Sequence, residues 1–316
     1  MIDFRFHIIS IVAVFLALGL GILMGSGFFG DVLVEDLKDR MADIRNTNEE
    51  RQNEIDELQS RIEAEQDFID EVRPGLLRGA LNARNVVIFE IEGLDGSTMD
   101  GLVASIEQAG GAVATTIRLT DKFGLAGAAE RDQLALIVRS TAADEDDLLR
   151  DAGFVLGTRA AAASELGVPP GSVEPGLEGL LGELEDAGFA ATDRASEGPT
   201  VPPGALFLIA GGTQDEPVYD AAELALALAT GIARGEEVVM VAEPFGSEWG
   251  LVDAVRGDGR ARDLVSTVDQ ADTVPGQIAV ALGLEREVEG PQDDPAGHYG
   301  VGEDATAVIP EASPLE

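Results

Sequence analysis

The stretch from Ile8 to Gly27, IISIVAVFLALGLGILMGSG, runs for twenty residues without a charge. As a helix rising 1.5 Å per residue it is about 30 Å long, the thickness of a bilayer's hydrocarbon core. The alternative is a cleaved secretory signal. Such signals carry a shorter apolar region and end at a small-residue cleavage site, for which Ser26-Gly27 is a poor match. An uncleaved anchor is the expectation. Arg5 precedes the span, whereas Asp31, Glu35 and Asp36 follow it. The positive-inside rule therefore places the N-terminus in the cytoplasm and everything after Gly30 outside it. Ala13, Ala17, Gly21 and Gly25 recur every fourth residue. That row either lets two helices approach closely or reflects how common Ala and Gly are in membrane helices.

Beyond the span the apolar residues take a 3-4 spacing. Val34, Leu37, Met41, Ile44, Asn48, Arg51, Ile55, Leu58, Ile62, Glu65, Ile69 and Val72 form a heptad seam with Val34 at a and Leu37 at d. Pro74-Gly75 is expected to end the helix. Asn48 at an a position fixes register and favours two parallel strands, so a homodimer through this coiled coil is expected. A long helix folding back on the following domain is the alternative.

From Asn85 the pattern becomes extended. Strands are expected at 86–91, 112–119, 134–138, 205–210, 237–242 and 264–268. Helices are expected from Ser97 through Gln108 and at 148–156, 173–187, 218–234, 246–256 and 275–284. The acidic run Asp144–Asp147 reads as a solvated helix start, since it lacks the spacing and glycine of a calcium loop. Segments 167–171 and 197–204 read as loops. Strand-helix-strand units with short connections imply an α/β domain with a mostly parallel sheet. The expected organisation is an anchor at 1–30, a coiled coil at 31–74, an extracytoplasmic α/β domain at 75–288 and a disordered acidic tail at 289–316.

Composition narrows the function. Fifty-nine acids against 21 bases give a net charge of −38, which repels phosphate backbones and excludes nucleic acid as a partner. There is no cysteine, so an exported domain must be stable by packing alone. The turn Gly93-Leu94-Asp95-Gly96-Ser97 has the wrong spacing for a dinucleotide fingerprint. Neither a phosphate-binding P-loop nor a G-x-S-x-G elbow is present. With no Cys, and His7 and His298 the only histidines, nucleophilic catalysis has almost no material. No catalytic or cofactor-binding residues are assigned, and the chain is read as non-enzymatic. A carboxylate-dependent enzyme is the weakest alternative. For a soft metal, the ligands beyond the stalk are Met99, Met240 and His298, far apart in sequence. Core filling is the plainer role for the two methionines. The exported domain is therefore expected not to bind copper tightly.

The N-terminal sequence MIDFRFHIISIVAVFLALGLGILMG closely resembles that of the actinobacterial MctB-like copper transport proteins, near MIDFRYHVVSLVAVFLALAVGIVLG. Met1 to Arg5, His7, Ser10 and Val12 to Leu18 match that pattern. The stretch His298-Tyr299-Gly300 is also similar to that family. The resemblance implies a role in copper homeostasis, as efflux through the outer envelope. One apolar helix, without a series of alternating ten-residue strands, does not by itself make a pore. An envelope scaffold presenting an α/β interaction domain is the other reading.

Overall fold

A computed structural model describes residues 4–91, 93–165, 176–290 and 294–310, with the backbone alone at 4, 26–36 and 39. The chain divides into two units, Met1–Asp67 and Phe68–Glu316. The first helix, α1, spans Phe4–Leu76, ending two residues past Pro74, which sits in its last turn. Proline there cannot donate to the Asp70 carbonyl, and the helix stops within two residues. In the first unit, Arg5–Gly25 is long and apolar enough to cross a membrane. Farther along, the seam side chains Leu37, Met41, Ile44, Ile55, Leu58 and Ile62 are each 46–60% exposed.

The second unit is an α/β domain. Its strands are β1 (Asn85–Ile91), β2 (Ala112–Leu119), β3 (Ala190–Arg194), β4 (Leu206–Ala210), β5 (Val239–Ala242), β6 (Ser266–Val268) and β7 (His298–Tyr299). They form one sheet in the order β3-β2-β1-β4-β5-β6-β7. Every neighbouring pair is parallel except β2–β3. The helices are α2 (Gly96–Gln108), α3 (Ala128–Val138), α4 (Glu145–Ser164), α5 (Leu177–Asp186), α6 (Ala221–Ala233), α7 (Leu251–Gly257) and α8 (Val274–Glu289).

Alternate residues of the central strands feed two cores. Val87, Phe89, Phe207, Ile209 and Val241 pack against α3 to α7. Val86, Ile88, Leu206, Leu208 and Met240 pack against α2, α8 and the segment around Leu77 and Leu81. Burial on both faces is why these strands read as unbroken apolar runs. Helix starts are set by side-chain caps: Asp95 accepts from Ser97 N–H, Asp144 from Asp147 N–H and Asp220 from Glu223 N–H. The acidic run at 144–147 is thus a helix start, as expected, while α2 is capped by Asp95, two residues before Ser97. α4 and α6 cross at glycines. A Cβ on Gly157 would lie 2.2 Å from the Leu228 carbonyl oxygen, and one on Gly231 2.7 Å from that of Phe154.

Three expectations are corrected. Residues 134–138 belong to helix α3, not to a strand. Leu134 and Val138, one helical turn apart, are buried while Leu136 between them is 80% exposed. The run continues the helix-forming stretch Ala128–Gln133, and the period of its burial decides. Strand β3 was not anticipated, because AATDR is an edge strand with only Ala190 buried. The segment expected as a disordered tail is folded over much of its length. Helix α8 runs to Glu289, and His298 and Tyr299 pair with Thr267 and Val268 to extend the sheet. Both side chains are 3% exposed. Loop 167–171 and the start of the helix expected at 173–187 lie outside the described residues.

Helix α8 packs on the face opposite to α6 and α7. The crossover β6–α8–β7 therefore has the opposite hand to β4–α6–β5, although the sheet grows in one direction through both. Parallel crossovers strongly prefer a single hand. The two-residue β7 is held in its unusual place by polar anchors.

Candidate functional site

The three possible soft-metal ligands do not converge. Met240 on β5 is fully buried, with its methyl group where a side chain on Gly283 of α8 would sit. Met99 on α2 is partly buried against that same core. Tyr299 faces this core as well, so its neighbour His298 projects from the opposite face of the sheet. Met240 and His298 are thus separated by the sheet itself.

His298 is also chemically committed. Its Nε2 lies 2.9 Å from the Arg262 carbonyl oxygen, which can only accept, so Nε2 carries the proton. Its Nδ1 lies 2.9 Å from Thr267 Oγ1. That hydroxyl accepts from Arg256 Nε at 2.9 Å and so donates to the ring. Burial pushes the His298 pKa down, and the cations of Arg256 and Arg262 add to this against the Arg262 carbonyl contact, which raises it. The neutral ring has spent both nitrogens and keeps no lone pair for a metal. Among the described residues no three His, Asp or Glu side chains are grouped to hold an ion.

The distinctive polar geometry lies at the carboxyl ends of β5 and β6. Arg256 on α7, 3% exposed, is a hub. Its Nη1 donates to Asp269 Oδ2 at 2.7 Å and to the Glu303 carbonyl at 3.0 Å, and its Nη2 to the Tyr299 carbonyl at 2.9 Å. Asp269, directly after β6, also accepts from Val301 N–H and Gly302 N–H, both at 2.9 Å. Together these bonds fasten residues 299–303 to the sheet edge.

Beside this network, directly after β5, stands Glu243. It is 6% exposed, and its Oε2 accepts from Leu251 N–H at 2.7 Å and, more weakly, Val252 N–H at 3.4 Å. Burial raises its pKa to about 7 against the opposing pull of those two N–H groups. Glu243, Arg256 and Asp269 line a cavity of about 410 Å³. A larger cavity of about 640 Å³, lined by Arg84, Glu237, Arg286 and Asp294 among others, lies at the opposite end of the strands. In parallel α/β sheets, ligands bind at the carboxyl ends.

Sequence reasoning missed Glu243, Arg256 and Asp269. A usable signal existed for the two acids, each immediately following a strand expected from the sequence. Nothing in the sequence marked Arg256.

Comparison with known proteins places these features in a family context. The family model described as "Copper transport outer membrane protein, MctB" matches residues 1–310. Proteins named Copper transporter MctB from Mycobacterium tuberculosis and Mycobacterium bovis are each 31% identical to this chain over 324 residues, covering 98% of it and 99% of the relative. A protein of the same name from Mycobacterium leprae is 28% identical over 320 residues, with the same coverage. With a match that runs from the apolar N-terminal helix through the last strand of the sheet, the chain belongs to the MctB copper transport protein family.

Proposed function

We propose that this chain serves copper transport or homeostasis as a membrane-anchored, non-enzymatic protein of the cell envelope. The observation that carries this reading is the family match over residues 1–310. The single apolar helix Arg5–Gly25 supports membrane attachment. In this reading the N-terminus is cytoplasmic and the α/β domain lies outside the cytoplasm, because Arg5 precedes the span and acids follow it. The chains pair as parallel homodimers through the 31–74 seam, helped by the Ala13, Ala17, Gly21 and Gly25 row. The half-exposed apolar seam supports this pairing, since such a stripe is normally covered.

Copper contact by the exported domain is indirect in this reading. His298 has no free nitrogen and Met240 is sealed in the core. The test is copper accumulation in a deletion strain, with and without the full chain restored. Excess copper in the deletion, reversed by the restored chain, is expected; equal copper in all three strains would overturn the proposal. A second reading, an envelope scaffold presenting an interaction domain, is favoured by the separation of Met240 and His298 on opposite sheet faces. It predicts envelope defects without any change in cell copper.

A further inference from the structure

The last stretch of α1, Phe68–Leu76, belongs to the α/β unit. Ile69, Arg73 and Leu77, spaced by four, form one line along it, and the domain claims all three. Ile69 packs against the core beneath α2 and α8, and Leu77 is fully buried there. Arg73, 9% exposed, donates from Nη2 to the Gly101 carbonyl and to Ser105 Oγ, both on α2. Ile69 is an a position of the heptad seam, so the seam loses a core residue to the domain here. The neighbouring line stays open. Phe68 is 64% exposed and Leu76 44%, with Val72 half-buried between them. One residue is about 100° around a helix, so the domain covers one flank of α1 and leaves an apolar stripe beside it. Phe68 stands three residues after Glu65 and four before Val72, both d positions, so the stripe is continuous with the seam.

We infer that a second copy of this chain covers the stripe. Past Ile62 the contact between the paired chains rolls off Ile69 and onto Phe68, Val72 and Leu76 of each. The inference rests on the parallel homodimer proposed above and names the surface on which that pairing ends. The occupant is a second copy because the stripe extends the seam, whose Asn48 at an a position selects two parallel strands. The area agrees. The half-exposed seam side chains, with Phe68 and Leu76, offer about 750 Å² per chain, close to the about 800 Å² per partner of a specific interface. The same contact explains why a phenylalanine stands open on a folded domain while the isoleucine after it is packed away.

The chain has no cysteine, so single cysteines report the pairing position by position. The full-length variants Leu58→Cys, Ile62→Cys, Phe68→Cys and Ile69→Cys are oxidised with diamide in membranes of the expressing strain, and the products are identified by mass. Disulfide-linked dimers are expected for Leu58→Cys, Ile62→Cys and Phe68→Cys, with Ile69→Cys about fivefold or more less efficient than Phe68→Cys, since a disulfide needs Cα atoms within about 7 Å. A heptad seam continued unchanged gives the reverse, because a positions face the partner and g positions flank it. Dimers at the two seam positions without the preference for Phe68→Cys overturn this inference and keep the homodimer. Dimers at none of the four positions overturn both. A crosslink from Phe68→Cys to a different protein shows another partner on the stripe and overturns the inference as well. Phe68→Ser needs no oxidation. Its position is exposed in the single chain, so the urea midpoint read from Trp249 should stay unchanged. Self-association of the full chain in detergent micelles, measured by sedimentation, should weaken about tenfold or more. Unchanged self-association would overturn the inference.

Discussion

Replacing Arg256 by Ala removes the hub that fastens the C-terminal segment. The guanidinium is 3% exposed and makes four hydrogen bonds, to Asp269, Thr267 and the carbonyls of Tyr299 and Glu303. Breaking a buried ion pair by deleting one partner costs about 3–5 kcal/mol, because the other charge stays buried. Asp269 keeps two backbone donors, Val301 N–H and Gly302 N–H, so the loss should fall near about 3 kcal/mol. With a urea slope of about 2–3 kcal/mol/M, the unfolding midpoint should drop by about 1–1.5 M. Trp249 makes the measurement clean. It is the single tryptophan, 7% exposed, with Nε1 donating to the Asp215 carbonyl, so its fluorescence reports on this domain alone. Limited proteolysis should cut the variant within 294–310 well before the parent. Asp269→Asn should lose less, and the double variant should lose less than the sum, since the two share one interaction. A midpoint shift below about 0.3 M, with unchanged proteolysis, would refute the idea that polar anchors hold β7.

Three further outcomes follow from particular residues. Glu243 has a folded pKa of about 7, above its unfolded value of 4.5, so its contribution is intact below pH 4.5 and is lost as pH rises toward 7. The loss is about 3 kcal/mol, and urea titrations across that window should show Glu243→Gln gaining on the parent as pH rises; parallel curves would sink the assignment. Gly157→Ala forces a Cβ against the Leu228 carbonyl and should cost about 2–3 kcal/mol, whereas Gly182→Ala in α5 meets nothing within 4 Å and should stabilise by about 0.5–1 kcal/mol. A soluble fragment of 31–74 should be helical and dimeric by sedimentation, and Asn48→Ile should raise its melting temperature while broadening its oligomer distribution; a monomeric, weakly helical fragment would remove the stalk.

Much of the architecture was legible in the sequence because the signals are local. Ile8–Gly27 is apolar over a bilayer's length, and no fold of the remainder changes that. Strands β4 and β5 are unbroken apolar runs, β1 is one but for Asn85 and Glu90, and the cap at Asp144 belongs to its own helix. The errors fall where burial is decided at a distance. LALIV at 134–138 suits strand or helix, and packing of Leu134 and Val138 against the core settled it. His298-Tyr299 sits in an acidic, Pro- and Gly-rich stretch with no periodicity, and it became a strand because Arg256, some forty residues earlier, binds its backbone. The candidate site is legible least of all. Glu243, Arg256 and Asp269 are ordinary charged residues in a chain full of charges, and only the parallel sheet brings them to one end. The same sheet separates Met240 from His298, a separation that composition cannot express, because which face a side chain takes is fixed by register and not by residue type.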